Sequence, residues 1–197
     1  MNSLAPVLLF VYNRPAHTLR TLAALEKNKY ADQTILYIYS DAAKDERAVQ
    51  AVEEVRKIIK KSWNFRKIEL VERDKNWGLA ANVIDGVTKV VQEHGQIIVL
   101  EDDLETSAFA LDYFNKALDR YKEDEQVMQI SGYGYPVQNL KELPETFFFR
   151  VANSWGWATW DRAWQHFNPD IEALVSNFSE EQIHEFSIEG KENFWKE

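Results

Sequence analysis

Gln96-Ile97-Ile98-Val99-Leu100-Glu101-Asp102-Asp103 passes from an apolar run straight into three acids. The run is the most strand-like segment in the chain, continuous and rich in β-branched side chains. Working outward, Leu79 to His94 has helical spacing with Val83, Val87, Val90 and Val91 inward, and Gly95 is placed to end that helix in a left-handed turn. On the other side, Phe109, Tyr113, Phe114, Leu118 and Tyr121 mark a further helix. The same rhythm precedes it. Val7 to Tyr12 reads as a buried strand, and Pro15 then opens a helix with Leu19, Leu22 and Leu25 as its apolar stripe. Thr34 to Tyr39 is a second strand, ending at Ser40-Asp41, followed by Val49, Val52, Val55 and Ile59 at helical spacing. Ile68 to Glu72 is a short third strand. Four strand-then-helix units in succession predict an α/β layer fold with a mostly parallel sheet. After them the rhythm changes. Val127 to Ser131 and Phe147 to Val151 read as strands separated by a Gly/Pro/aromatic loop, and a Trp-rich helix and a weakly patterned acidic tail follow.

Composition narrows the function classes. The 197 residues carry 23 Lys+Arg against 32 Asp+Glu, a net charge of -9, which argues against a nucleic-acid groove because polyanions call for a basic face. With no Cys, disulfides, thiolate metal sites and cysteine nucleophiles are excluded. His17, His94, His166 and His184 show no metal-ligand spacing. The run Leu8 to Tyr12 lacks the layout of a signal peptide, and no apolar stretch is long enough to span a bilayer. The expectation is a cytoplasmic protein, with peripheral association at the inner face of a bacterial membrane.

In open parallel α/β sheets, ligands sit beyond the carboxyl ends of the strands, where strand order reverses. The polar residues there are Asn13 and Arg14, then Ser40 and Asp41, then Glu101, Asp102 and Asp103. A chain this acidic yields about one acidic triplet by chance, so position rather than existence makes this one informative. Three carboxylates packed against a buried strand cost several kcal/mol through repulsion and desolvation, roughly, unless a cation offsets them. An all-oxygen donor set favours Mg²⁺ or Mn²⁺ over zinc. The plainer reading is a solvated strand-end turn with Asp102 or Asp103 capping the next helix. Neither GxGxxG nor GxxxxGK[ST] follows any strand, so a metal, helped by Arg14, would have to carry a bound diphosphate.

Five short motifs then occur in order: Val-Tyr-Asn-Arg-Pro at 11–15, Tyr-Ser-Asp at 39–41, Asn-Trp-Gly-Leu-Ala at 76–80, Val-Leu-Glu-Asp-Asp-Leu-Glu at 99–105 and Ser-Trp-Gly-Trp-Ala-Thr-Trp at 154–160. Over roughly residues 9–167 the chain resembles the nucleotide-sugar glycosyltransferases of the GT-A fold. More narrowly, it is similar to bacterial family 2 enzymes sharing the Glu-Asp-Asp form of the DxD motif with the N-acetylglucosaminyltransferase that initiates complex N-glycans. The resemblance implies a Rossmann-like three-layer sandwich. It implies that Asp103 ligates Mn²⁺ or Mg²⁺ across the two phosphates, while Glu101 and Asp102 hold the ribose and donor sugar. It gives Asp41 the base, uracil N3 first of all, and places Asn13 and Arg14 along the nucleotide and diphosphate, with Asn76 to Asn82 covering the nucleotide.

Trp155, Trp157, Trp160 and Trp164 fall within ten residues, the last three at helical spacing. Trp160 and Trp164 read as core. Trp155, Gly156 and Trp157 are the choice for donor sugar and acceptor, Gly156 allowing close backbone approach and Trp157 offering a ring to stack on a sugar. Inverting transfer also requires a base. Asp161 falls in the expected helix, which leaves Asp170, after Pro169, as the candidate. The expected activity is metal-dependent transfer from a UDP-sugar to a glycan or glycolipid hydroxyl with inversion. A non-catalytic nucleotide-sugar-binding module and a sugar nucleotidyltransferase are the alternatives. Residues 1–197 are expected to be one GT-A domain, with 1–125 the nucleotide-binding part and 126–197 the start of an incomplete acceptor-side part of a longer enzyme.

Overall fold

The computed structural model describes residues 4–134, 142 and 144–191. Strands β1 (Val7–Val11), β2 (Ile35–Ser40), β3 (Lys67–Glu72) and β4 (Gln96–Glu101) alternate with helices α1 (Pro15–Leu25), α2 (Glu46–Ile59), α3 (Leu79–His94) and α4 (Ala110–Arg120). Two further strands, β5 (Ile130–Ser131) and β6 (Trp157–Trp160), three short helices, α5 (Asp161–Trp164), α6 (Ile171–Ser176) and α7 (Glu180–Phe186), and a 3₁₀ turn at Ala31–Gln33 complete the described elements. The sheet order is β3-β2-β1-β4-β6-β5, with β1 to β4 parallel and β6 antiparallel to both neighbours.

The alternation of side chains along a strand divides the core into two layers. Val7, Leu9, Val11, Ile98 and Leu100 pack with Leu22 and Leu25 of α1, Val55 and Ile59 of α2, and Leu111, Phe114 and Leu118 of α4. Leu8, Phe10, Ile97 and Val99 face the other way, onto Val87, Val90 and Val91 of α3. This is the expected three-layer α/β sandwich. Each fully buried Leu or Ile here contributes about 1.5–3 kcal/mol. Gly86 brings α3 close to the sheet, since a Cβ there would lie 3.0 Å from Phe10 Cζ. Gly95 ends α3 at φ 76° and returns its N–H to the Val91 carbonyl at 2.7 Å, as expected of a helix-ending glycine.

Several expectations need correcting. Leu19 and Val49 are exposed, and their helices bury Thr18, Thr21 and Ala48 instead. Phe109 and Tyr113 are exposed, leaving Leu111, Phe114 and Leu118 as the buried stripe of α4. The strand expected at 127–131 shrinks to Ile130–Ser131. No strand forms at 147–151, where Phe147, Phe148 and Phe149 are exposed and no strand among the described residues supplies hydrogen bonds. The Trp-rich helix is strand β6 followed by the single turn α5. Trp157 and Trp160 stand three residues apart on opposite faces of β6: Trp160 is buried with α4, and Trp157 lies on the α3 side. The Gly/Pro/aromatic loop lies largely outside the described residues.

Candidate active site at the strand ends

Chain order reverses between β1 and β4, since β2 and β3 lie on one side of β1 while β4 lies on the other. A crevice at the carboxyl ends of these strands is where such sheets bind ligands. Asn13, half-buried, and Arg14, exposed, form the turn from β1 into α1, while Glu101, Asp102 and Asp103 leave β4 directly opposite. Arg14 Nη1 donates to Asp103 Oδ2 at 2.8 Å and lies 3.7 Å from Asp102 Oδ1.

The three acids occupy different environments. Asp102 is buried, with its Oδ2 accepting from the Tyr12 N–H at 3.3 Å and its carbonyl accepting from Thr21 Oγ1 at 2.9 Å. Burial raises its pKa, against the pull of that N–H and of Arg14. Glu101 is half-buried, and burial together with the Asp103 and Asp102 charges pushes its carboxyl above the usual range. Asp103 is exposed, its side chain 46% accessible. Among the described residues, no group of three His, Cys, Asp or Glu could by itself hold a metal ion. Asp103 is the open oxygen donor on this rim.

Asp41 behaves differently from a free base-reading carboxylate. It is buried, Oδ1 accepts from the N–H groups of Ala42 and Trp77 at 2.9 Å each, and Oδ2 accepts from Gly78 N–H at 2.9 Å and Asn76 Nδ2 at 3.1 Å. The four acceptor positions of a carboxylate are thus filled within the protein. Asn76 also donates to the Ala42 carbonyl at 2.7 Å. The loop into α3 is thereby fastened to the end of β2.

Sequence reasoning missed Arg73, the residue directly after β3. It is 8% exposed, donates from Nε to Asn82 Oδ1 at 2.9 Å and pairs with Asp85. Its guanidinium carbon lies 3.8 Å from the Trp77 ring centroid and 5.1 Å from that of Tyr39. The available signal was positional, an Arg following a strand just as Arg14, Asp41 and Glu101 follow or end theirs.

The antiparallel course of β6 decides where the Trp segment lies. Trp157 pairs with Val99 and Trp160 with Gln96, so Trp155 and Gly156, just ahead of β6, stand beside the carboxyl end of β4. Gly156 adopts φ 74°, and its carbonyl accepts from Gly132 N–H at 2.8 Å. A Cβ at Gly156 would meet only Leu100 at 3.4 Å and Leu104 at 3.7 Å, so backbone conformation rather than crowding calls for glycine. Trp155 is 49% exposed and meets Tyr133 edge-on at 4.8 Å. Trp157 instead stacks on Trp164, centroids 6.0 Å apart, and Trp164 stacks on Phe167 at 4.5 Å. Asp170 is not beside the rim in any described contact. Its Oδ1 accepts from Ala173 N–H at 2.9 Å, capping α6.

Comparison with known proteins bears on this arrangement. Residues 7–175 match the model of glycosyl transferase family 2. Among solved structures, the mannosyltransferase PcManGT from Pyrobaculum calidifontis, in complex with GDP-Man and Mn²⁺, superposes with a TM-score of 0.54 at 13% identity, covering 88% of this chain and 47% of that one. TarS from S. aureus gives a TM-score of 0.40 at 14% identity over 59% of this chain and 20% of that one. The chain therefore spans less than half the length of either. Comparison with curated protein sequences returned no match. A mostly parallel sheet whose strand order reverses between β1 and β4, together with a family model covering 7–175, makes the chain a GT-A-fold member of glycosyl transferase family 2.

Proposed function

We propose that the chain transfers a sugar, a hexose or an N-acetylhexosamine, from a nucleotide-sugar to a hydroxyl of a glycan or glycolipid, with inversion. The observation that carries the reading is the meeting of Arg14 and Asp103 across the β1/β4 switch point, a cation and an open carboxylate where a diphosphate belongs. In this reading Asp103 holds Mn²⁺ or Mg²⁺, and the ion when bound supplies Lewis-acid stabilisation of the departing diphosphate. Asn13 and Arg14 line the nucleotide and diphosphate, and Glu101 and Asp102 hold the ribose and donor sugar. Asp41 and Asn76 fix the loop against which the base lies, and the donor is a UDP-sugar. That a mannosyltransferase of the same fold is complexed with GDP-Man and Mn²⁺ supports a nucleotide-sugar with a divalent metal and makes a GDP-sugar the second donor to try. Trp155 and Gly156 face the donor sugar and acceptor. Residues 1–125 act as the nucleotide-binding part of one domain and 126–197 as the start of the acceptor-side part, working in the cytoplasm at a membrane face. No helix among the described residues is long and apolar enough to cross a membrane.

Thermal shift with UDP and with GDP, each with and without Mn²⁺, tests donor binding. Metal-dependent stabilisation by one of them is expected, and its absence with both sinks the reading. Hydrolysis of a panel of UDP-sugars then identifies the donor. The second reading, a nucleotide-sugar-binding module without transfer, is favoured by the engagement of Asp170 as a helix cap. Loss of transfer in Asp170→Asn with donor binding intact would assign Asp170 as the base and remove that alternative. Family membership speaks for glycosyl transfer over nucleotidyl transfer.

A further inference from the structure

The strand-end rim holds three acids, and among the described residues Arg14 alone forms an ion pair with any of them. Its two halves are held differently. The Arg14 backbone is fixed at the start of α1, where its carbonyl accepts from the Thr18 N–H at 2.9 Å and from Thr18 Oγ1 at 3.0 Å. The side chain is 52% exposed and reaches across to Asp103, itself 46% exposed. Asp102, by contrast, is tied down by burial and by Tyr12. The solvent-exposed partners are thus the guanidinium and the Asp103 carboxylate.

We infer that Arg14 is the resident counter-ion of Asp103 in the donor-free protein, displaced by the divalent cation and handed to the diphosphate that arrives with it. This rests on the reading of Asp103 as the metal ligand. A guanidinium nitrogen 2.8 Å from Oδ2 and a cation requiring about 2.1 Å to the same oxygen compete for one position. An exposed ion pair of this kind is weak, so it yields readily once a phosphate gives the guanidinium a replacement partner. The consequence is a dependence of one ligand on the other. Metal alone takes Arg14 from Asp103 with only the more distant Asp102 carboxylate left beside it, whereas metal together with a nucleoside diphosphate gives the guanidinium a phosphate partner. Such coupling is reciprocal, so the nucleotide strengthens metal binding by the factor by which the metal strengthens nucleotide binding.

Mn²⁺ titrations followed by its electron paramagnetic resonance signal, in excess of protein-free blanks, test this on the wild-type chain, Arg14→Gln and Arg14→Lys. Each is titrated without nucleotide and with UDP or GDP. Arg14→Gln is expected to bind Mn²⁺ about three- to tenfold more tightly than wild type without nucleotide, and to show a smaller gain in affinity when nucleotide is added. Arg14→Lys, which keeps the charge, should stay near wild type. Equal or weaker nucleotide-free binding in Arg14→Gln, including no detectable binding in either protein, overturns the inference. The metal-site reading is judged separately: wild type that takes up no Mn²⁺ with either nucleotide defeats that reading, whatever Arg14 does.

Discussion

Oδ2 of Asp41 accepts a hydrogen bond from the Gly78 N–H at 2.9 Å, and through that contact the end of β2 holds the start of α3. Together with the bonds from Ala42, Trp77 and Asn76, it makes Asp41 a fastening for the loop rather than a free carboxylate. Asp41→Ala leaves these donors without an acceptor. Because water reaches part of the loop, the expected loss is about 2–4 kcal/mol, less than the sum of the separate bonds. Asp41→Asn keeps one acceptor oxygen and should lose about half as much. Urea unfolding reads both, and an unchanged midpoint in Asp41→Ala would show that the loop does not depend on this carboxylate.

Asp103 is expected to show the opposite profile. Its side chain is exposed and tied to Arg14 alone among the described residues, so Asp103→Asn should change stability by less than about 0.5 kcal/mol. The same substitution should abolish the added stabilisation by Mn²⁺ with nucleotide, which in a competent site reaches about 2.7 kcal/mol at a hundredfold excess over Kd. Thermal shift with and without ligand separates the two effects.

Asp85 gives the chain an acid-side pH dependence. Burial alone would raise its pKa, but Arg73 and Lys89 outweigh it and hold the carboxyl below the usual range. A carboxylate with a depressed folded pKa contributes stability above its unfolded pKa and loses it as pH falls through the folded value. Asp85→Asn should therefore be less stable at neutral pH and lose less on acidification, the two proteins converging below that folded pKa. Unfolding curves across the acid range check this. A constant difference between them would mean that Asp85 is not ion-paired in solution.

Trp155 and Trp157 flank Gly156 in the motif yet should behave as different classes of residue. Trp155→Ala removes an exposed ring and should cost less than about 1 kcal/mol while strongly reducing transfer. Trp157→Ala opens the contact with Trp164 and should cost about 2–4 kcal/mol. Full transfer by Trp155→Ala would remove that ring from the sugar-binding surface.

Gly156→Ala isolates a backbone effect. There is room for the methyl group, so the cost is that of holding an L-residue at φ 74°, about 1–2 kcal/mol. A loss above about 3 kcal/mol in urea unfolding would mean that the segment cannot accommodate even a methyl group.

Much of the architecture from β1 to α4 was legible because its strands are apolar runs ending in polar residues. Helix α3 appears with the bounds Leu79 and His94 that its spacing predicts, since Gly95 marks the stop. Position at the strand ends also brought Arg14, Glu101, Asp102 and Asp103 together. Trp157, Trp160 and Trp164 misled because separations of three and four imitate a helix, although a strand also sends residues three apart to opposite faces. Thr159 and the aromatic density were the contrary signal. Phe147 to Val151 has the composition of a strand but pairs with no strand among the described residues, and pairing is a tertiary property that composition does not carry. The saturation of Asp41 was hidden for a related reason, as three of its four donor residues lie 35 to 37 positions away.

The reversal of β6 leaves its register independent of whatever joins it to β5. Ile130 pairs with Ala158 and Ser131 with Trp157 however long the intervening stretch becomes. Closing a flexible loop costs only about 0.6 kcal/mol for each doubling of its length. A change in the length of that connection therefore leaves the pairing of β5 with β6 as it stands, and with it the place of Trp157 in the sheet.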